Sequence, residues 1–269
     1  MAGNKRAREV ARAKYERQQA RREQERAARR RRLLMILGIV GAVLVIGGLA
    51  YALWPTGDST PTASPSPSST APPAPVPTPT GVSCTPATPG ASSAKLPAPT
   101  PQKLAQGATM KLATNCGDIV IAMDVAKAPK TTNAIAYLAN KGFYTNKNCH
   151  RLVVTGIYVL QCGSAQLNGQ GNPGFTLPDE NLPKNGPNDY PAGSVAMANA
   201  GPKTGNSQFF LVYKDMSLPP NYTLWGHITS GLNVVQYVAA KGVAPGSPDL
   251  GDGPPAQPVV IKSATIGAS

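Results

Sequence analysis

The order of apolar and polar positions divides the chain into parts with different patterns. Residues 33–54 form an uninterrupted apolar run of 22 residues without a charge, and residues 55–107 show no periodicity. From Thr109 onward, short alternating runs follow one another, separated by turn residues. Because alternation is typical of half-buried strands, the pattern predicts a mainly β domain over residues 108–269.

Eight short strands and two helices are predicted within this C-terminal part. Two alternating runs flank Asn115-Cys116-Gly117, which favours a hairpin. Pro129 begins a helix that ends at Asn140, and a second helix covers 232–241. The strands are predicted over 109–113, 118–124, 149–154, 158–161, 194–198, 209–213, 224–228 and 259–266. These elements favour a closed eight-stranded antiparallel β-barrel capped by the two helices.

The apolar run over 33–54 is long enough to cross a membrane. At ~1.5 Å per residue its 22 residues span about 33 Å, against a hydrocarbon core of ~30 Å. The net charge of +13 is concentrated just before it, because residues 1–32 contain 13 Lys and Arg against four Glu. The positive-inside rule therefore predicts a cytoplasmic N-terminal segment and an extracytoplasmic C-terminal domain on a single-pass anchor in the cell membrane.

A cleaved signal peptide and an adaptor arm are the alternatives to a membrane anchor for the N-terminal part. Ala50-Tyr51-Ala52 has the form of a signal-peptide cleavage site, but a charged region of 32 residues before the apolar run is unusually long for one. An adaptor that acts through its arginine-rich arm is another alternative. No nucleic-acid partner is expected, since the positive charge is a property of this one segment rather than of the folded domain.

Residues 55–107 have the composition of a linker. They contain 14 of the 28 prolines and only three charged residues, and Pro, Ser, Thr and Ala dominate the rest. Such a segment favours extended polyproline II, so we expect a semi-rigid stalk that contributes nothing to a core. A PxxP ligand for a recognition module and a glycosylated stalk are the alternatives.

Four cysteines follow the apolar run, namely Cys84, Cys116, Cys149 and Cys162. An even number in an exported domain indicates disulfides. Cys149 and Cys162 flank a predicted hairpin and can face each other, which leaves Cys84 for Cys116. A zinc site competes poorly because the spacings do not fit and only two histidines could assist. No metal and no cofactor are expected.

The domain lacks the motifs of common hydrolases and nucleotide-binding enzymes. Instead, single polar residues interrupt otherwise apolar strands, as Arg151, Gln161, Asn199 and Gln208 do. Taken singly, each could satisfy a local backbone group. Taken together with their neighbours in the sequence, these four residues belong to motifs that follow one another along the chain in the same order as in a known family.

These motifs resemble the cyclophilins over residues 109–266. The matching segments are Ala128-Pro129-Lys130-Thr131, Gly142-Phe143-Tyr144, His150-Arg151, Gln161-Cys162-Gly163, Gly169-Gln170-Gly171-Asn172-Pro173-Gly174-Phe175, Val195-Ala196-Met197-Ala198-Asn199-Ala200-Gly201-Pro202 and Asn206-Ser207-Gln208-Phe209-Phe210. The resemblance implies a peptidyl-prolyl cis/trans isomerase that acts on Pro-containing polypeptides without a cofactor and assists the folding of exported proteins. A non-catalytic module that binds proline-containing peptides of the cell envelope is the alternative.

The resemblance also assigns roles to individual residues. It implies that Arg151 is catalytic, that Gln161 orients it and that Phe210 forms the floor of the proline pocket. It implies substrate contacts for Tyr158, Val159, Ala198, Asn199, Gln208, Leu218 and Tyr222. The chain departs from the family by two additional residues between His150 and Gln161, by Ser217 at the usual Trp position and by Tyr222 at the usual His position. Weak cyclosporin binding is expected, because the missing Trp donates a hydrogen bond to the drug in the family.

Overall fold

The computed structural model describes residues 79–184, 186–247, 249 and 251–268. The strands are β1 (Ala108–Thr114), β2 (Gly117–Met123), β3 (Lys147–Asn148), β4 (Arg151–Val153), β5 (Val159–Cys162), β6 (Ser194–Met197), β7 (Phe209–Val212), β8 (Leu224–Ser230), β9 (Asp252–Gly253) and β10 (Val260–Ala268). The helices are α1 (Pro129–Asn140) and α2 (Leu232–Ala240).

The ten strands form one antiparallel sheet in the order β3-β10-β1-β2-β8-β6-β7-β5-β4-β9. The predicted mainly β domain with two helices is therefore confirmed. The predicted closed eight-stranded barrel requires correction, because β3 and β9 extend the sheet and no ladder joins these two end strands within the described residues. Both additional strands have two residues, which is too short for an alternation that sequence could reveal.

Alternation along the strands separates two apolar clusters. On β7, Phe209 and Leu211 belong to the main core, whereas Phe210 and Val212 belong to a second cluster. Strands β4, β5 and β6 alternate in the same way. Because side chains on a strand point to opposite faces in turn, the second cluster lies on the other face of these strands from the main core. We call it the outer-face cluster.

Helix α1 covers the main core and begins where the sequence predicts. Pro129 occupies its first turn, and no side chain of the N-cap residue binds the backbone there. The carboxylate of Glu180 does so instead, since it accepts the backbone N–H groups of Lys130 at 3.2 Å and Thr131 at 2.8 Å. A negative group at a helix N-terminus satisfies free N–H donors and interacts favourably with the helix dipole.

The second half of the predicted linker differs from expectation. Residues 79–107, which we call the strap, lie along the domain and are held by backbone hydrogen bonds such as Leu96 N–H to the Pro173 carbonyl at 2.6 Å. Val82, Leu96 and Leu104 pack against the main core. Isolated apolar residues in a Pro-rich segment carry no periodicity, so this packing cannot be predicted from the sequence pattern.

Both predicted disulfides are formed, Cys84–Cys116 and Cys149–Cys162. The first ties the strap to the β1–β2 turn, where the Asn115 side-chain amide also donates to the Thr85 carbonyl at 2.9 Å. The second joins the segment just before β4 to the last residue of β5. All four cysteines are used in this way, so no thiolate is left to bind zinc.

In the part of the chain that the structure describes, no helix combines the length and the apolar character needed to cross a membrane. The predicted spanning segment over 33–54, the basic segment over 1–32 and the first part of the linker lie outside the described residues.

Candidate functional site

A row of aligned residues crosses four strands on the outer face. Arg151 of β4 pairs with Gln161 of β5, Gln161 pairs with Phe210 of β7, and Phe210 pairs with Ala196 of β6. Residues that pair directly across neighbouring strands have side chains on the same face of the sheet. The structure therefore brings the three residues predicted to be catalytic into one row, with the cation at one end and the aromatic ring near the middle.

Side-chain hydrogen bonds connect the polar members of this row. Arg151 Nη1 donates to Gln161 Oε1 at 3.2 Å, and Gln161 Nε2 donates to Gln208 Oε1 at 2.9 Å. Gln208 Nε2 in turn donates to the Gly169 carbonyl at 2.9 Å. Each amide donates in one direction and accepts from the other, so the chain of bonds fixes the orientation of both glutamines and of the guanidinium beside them.

The guanidinium of Arg151 is also held by a carboxylate. Nε donates to Asp252 Oδ1 at 2.7 Å and Nη2 donates to Asp252 Oδ2 at 2.5 Å, a bidentate ion pair. The hydrogen bond and charge of Asp252 raise the pKa of Arg151, while the same hydrogen bond lowers the pKa of Asp252. Arg151 is therefore a fixed positive charge at any working pH.

The outer-face cluster beside Arg151 is rich in aromatic rings. Its buried members are Val153, Val159, Tyr190, Ala196, Phe210, Val212 and Met216. The Phe210 ring meets the Tyr222 ring at a centroid distance of 5.5 Å, and Tyr190 lies 6.3 Å from Phe210. The first contact is edge-on and the second is tilted, and aromatic contacts of the edge-on kind stabilise a defined arrangement of rings. The outer-face cluster thus forms an apolar wall that adjoins the positive charge of Arg151.

The predicted substrate contacts gather around this cluster. Val159 is buried in it, and Tyr158, Ala198, Leu218 and Tyr222 are half-buried against it. The β4–β5 pairing keeps Arg151 opposite Gln161 and Val153 opposite Val159, so the two additional residues lie in the hairpin loop after Val153. Tyr158 immediately precedes β5, and its role as a substrate contact stays a prediction.

Asn199 lies just beyond β6 at the rim of the cluster. Its Nδ2 donates to the Asn221 carbonyl at 2.7 Å, and its Oδ1 accepts the Gly201 backbone N–H at 3.2 Å. These bonds tie the rim to the segment that leads to Tyr222. One donor and one acceptor position of the side-chain amide remain available to a peptide.

Tyr190 is a member of the site that sequence reasoning missed. Its hydroxyl donates to the Tyr222 carbonyl at 3.1 Å and accepts the Tyr222 backbone N–H at 3.1 Å. Burial raises the pKa of Tyr190 to about 12, so the hydroxyl keeps the proton that it donates. Tyr190 lies outside the regular strands, where no periodicity marks it as buried. Asp252 was missed for a related reason, since its two-residue strand β9 lies in a Gly- and Pro-rich stretch that carries no alternation.

A cavity of about 530 Å³ opens beside Arg151. It is lined by Arg151, Val153, Thr155, Gly156, Ile157, Asp249, Gly251 and Asp252. Arg151 is the one predicted site residue that lines it, and Val153 of the outer-face cluster lines it as well, so the cavity adjoins both Arg151 and the cluster. Among the described residues, no group of His, Cys, Asp and Glu side chains is arranged to hold a metal ion.

Comparisons with known proteins agree with this geometry. The chain is 43% identical over 163 residues to the "Probable peptidyl-prolyl cis-trans isomerase B" of Mycobacterium leprae, which covers 56% of the chain and 54% of that protein. It is 41% identical over 169 residues to the protein of the same name from Mycobacterium tuberculosis, covering 59% and 54%. The chain thus spans about half the length of these mycobacterial relatives.

The fold is also found among solved structures. A crystal structure of a Cryptosporidium parvum cyclophilin type peptidyl-prolyl cis-trans isomerase, in the presence of the dipeptide Ala-Pro, matches with a TM-score of 0.51 at 23% identity. The match covers 60% of this chain and 99% of the other. A sequence profile described as "Cyclophilin type peptidyl-prolyl cis-trans isomerase/CLD" matches residues 109–266, more than half of the chain. The chain therefore belongs to the cyclophilin family.

Proposed function

We propose that the domain over residues 108–269 catalyses the cis/trans isomerisation of peptide bonds that precede proline. The observation that carries the proposal is the row in which a fixed guanidinium, that of Arg151, stands beside an apolar wall that contains Phe210. No nucleophile is needed for this reaction, because no covalent bond is made or broken.

The chemistry follows from the bond that must rotate. Amide resonance gives the C–N bond partial double-bond character, and rotation faces a barrier of ~20 kcal/mol. In the twisted state the prolyl nitrogen recovers a lone pair, which can accept a hydrogen bond. An Arg151 N–H aimed at that nitrogen would bind the twisted state more tightly than either planar isomer, and such differential binding accelerates the rotation.

The neighbouring residues supply the grip that rotation requires. The apolar side chains of Val159, Phe210 and Leu218 hold the pyrrolidine ring, while Asn199 and Gln208 bind the flanking peptide backbone through their unused donors and acceptors. The carbonyl side of the bond is then free to turn. In this scheme Gln161 keeps the guanidinium in place, which agrees with its hydrogen bond to Arg151.

The experiment is the isomerisation rate of an Ala-Pro or Gly-Pro test peptide with and without the purified full-length protein. Acceleration that grows linearly with protein concentration is expected. Phe210→Leu keeps apolar volume in a position that is 5% exposed but loses the flat ring, so we expect lower kcat/KM in a folded variant. A folded wild type that leaves the rate unchanged would contradict the proposal.

The alternative is a non-catalytic module that binds proline-containing peptides of the cell envelope. The same apolar wall would bind the peptide, so binding alone does not separate the two functions. A titration of the test peptide followed by NMR separates them, because a catalyst also exchanges the cis and trans signals of the peptide. Binding without exchange would favour the module.

We also propose that the domain lies outside the cytoplasm, on a single-pass anchor. The domain division is 1–32 cytoplasmic, 33–54 membrane-spanning and 55–107 linker, of which 79–107 is the strap. The uncharged apolar run of 22 residues behind a basic segment supports the anchor. Two disulfides support an oxidising compartment. Clients would then be exported proteins with slow prolyl bonds.

Protease added to intact spheroplasts tests the location. The domain is expected to be degraded while a cytoplasmic marker protein stays whole. Resistance of the domain until the cells are lysed would place it in the cytoplasm and contradict the proposal. Carbonate extraction of the membrane fraction tests the anchor separately, since an uncleaved spanning helix remains in the pellet.

A further inference from the structure

Asp252 holds one complete edge of the Arg151 guanidinium. Its two carboxylate oxygens accept the N–H groups of Nε at 2.7 Å and Nη2 at 2.5 Å, and Gln161 accepts a third from Nη1 at 3.2 Å. A guanidinium carries five N–H donors in a planar fork. Two donors therefore remain, one on each Nη atom.

The backbone around Asp252 is fixed by the strand that carries the arginine. Asp252 pairs with Val153 across the β9–β4 ladder, and the Val154 N–H donates to the Gly251 carbonyl at 2.8 Å. Gly251 is constrained as well, because a Cβ atom there would lie 2.6 Å from Thr155 Oγ1. Strand β9 has only two residues, and its pairing brings the carboxylate to the side of Arg151.

The ion pair contributes more to orientation than to stability. The side chains of Arg151 and Asp252 are 41% and 31% exposed, and ion pairs with such access to solvent stabilise a fold only weakly. A parallel two-point contact nevertheless restricts a long side chain that would otherwise sample many rotamers. A hydrogen-bond donor that acts on a transition state must be held in place before the reaction.

We propose that Asp252 is a positioning residue for Arg151, whose carboxylate fixes one edge of the guanidinium so that the remaining N–H donors are held for the prolyl nitrogen. The inference rests on the isomerase function proposed above. Asp252 does not touch the substrate in this scheme. Asp252 acts on the reaction only by orienting Arg151, as Gln161 does through its hydrogen bond to Nη1.

Asp252→Asn is the sharpest variant because it keeps the shape of the side chain. The amide oxygen of the new side chain can still accept one arginine N–H. The amide NH2 group is itself a donor and cannot accept the second arginine N–H, so the two-point contact is lost. We expect kcat/KM to fall about tenfold, which corresponds to about 1.4 kcal/mol. The loss should appear in kcat with little change in KM, since the contact with the twisted bond is weakened rather than the binding of the peptide.

The matched control is Asp118→Asn. This variant also removes a carboxylate that pairs with a cation, since Asp118 Oδ2 lies 2.6 Å from Lys111 Nζ. Asp118 belongs to the β1–β2 hairpin, outside the row of site residues. We expect this variant to keep the wild-type rate. Asp252→Glu retains the negative charge and two oxygens, and is expected to recover part of the loss.

The decisive comparison repeats Asp252→Asn in the Arg151→Ala background, at protein concentrations high enough to measure the residual rate. No further loss is expected there, because the residue through which Asp252 acts is gone. A loss of the same size in both backgrounds, or full activity of Asp252→Asn alone, would overturn the positioning role while the isomerase function stands. An inactive wild type would refute the isomerase function itself and the positioning role with it.

Discussion

The ring of Tyr222 meets the ring of Phe210 edge-on, with the centroids 5.5 Å apart and the ring planes at 81°. The resemblance to cyclophilins places Tyr222 where that family usually has a histidine, and one wall of the proposed proline pocket is then a second aromatic ring. The backbone of that residue is held on both sides by the Tyr190 hydroxyl. The ring of Tyr222 is therefore attached to a backbone that two hydrogen bonds hold in place.

Loss of this ring should weaken peptide binding. Truncation of a side chain that contacts the ligand typically costs on the order of 1 kcal/mol of binding free energy, and here the Phe210 ring also loses its edge-on partner. In Tyr222→Ala we expect KM for a proline peptide to rise roughly three- to tenfold, with a smaller increase in Tyr222→Phe, which keeps the ring. Steady-state kinetics measures both, and equal increases in the two variants would mean that the hydroxyl rather than the ring makes the contact.

Cyclosporin should inhibit the protein weakly. Ser217 stands where the resemblance places a tryptophan, and its hydroxyl already accepts the Asn188 backbone N–H at 2.9 Å. It offers no indole N–H to the drug. We expect Ser217→Trp to increase the inhibition at least tenfold while isomerisation persists, as measured by inhibitor titration. Tight inhibition of the wild type would show that the alignment of this segment is wrong.

The two disulfides should differ in their contribution to stability. The Cys84–Cys116 disulfide closes a loop between cysteines 32 residues apart, and the Cys149–Cys162 disulfide closes a loop between cysteines 13 residues apart. The chain-entropy relation gives about 4 and about 3 kcal/mol respectively. Denaturant unfolding of Cys84→Ala/Cys116→Ala beside Cys149→Ala/Cys162→Ala is expected to follow that order, since the longer loop also ties down the strap. The reverse order would argue that the strap contributes little.

Stability should fall in mild acid because of His150. Burial, and secondarily the charge of Arg151, lowers the pKa of His150 to about 4 in the folded state, against ~6.5 in an unfolded chain. Between these values the unfolded state binds more protons, so the free energy of unfolding is highest above pH ~6.5. It decreases by up to about 3 kcal/mol as the pH falls to about 4.

Unfolding by denaturant at several pH values measures this dependence. His150→Asn is expected to remove most of the decrease between these pH values. His227 is exposed on β8, so His227→Asn provides the control and should follow the wild type. An unchanged slope in His150→Asn would show that another group titrates in this range.

Long periodic elements could be predicted well from the sequence. The helix from Pro129 to Asn140 has the predicted bounds, because proline at the start and Gly142 after the end mark them clearly. The β1–β2 hairpin agrees within one residue at each predicted end, since alternation around a tight turn specifies the register. The motifs alone single out Arg151, Gln161 and Phe210, although no sequence pattern shows that these residues align across the strands.

Features that depend on contacts between distant segments could not be predicted. Asp252 lies 101 residues from Arg151, in the two-residue strand β9, whose Gly and Pro neighbours in the sequence indicate only a loop. The strap packs through single apolar side chains such as Leu96, which no pattern distinguishes from linker residues. In both cases the information lies in tertiary pairing rather than in local periodicity, and strands of two residues carry too little sequence to reveal it.

The most direct test of the account is the isomerisation rate of an Ala-Pro peptide with wild type and Arg151→Ala, measured together with the peptide dissociation constant. Lys111→Ala, which removes an exposed cation on β1, is the control for loss of a positive charge. We predict that Arg151→Ala lowers kcat/KM ~10²-fold or more while peptide binding persists and Lys111→Ala matches the wild type. An unchanged rate in a folded Arg151→Ala protein would contradict the central role given to this guanidinium.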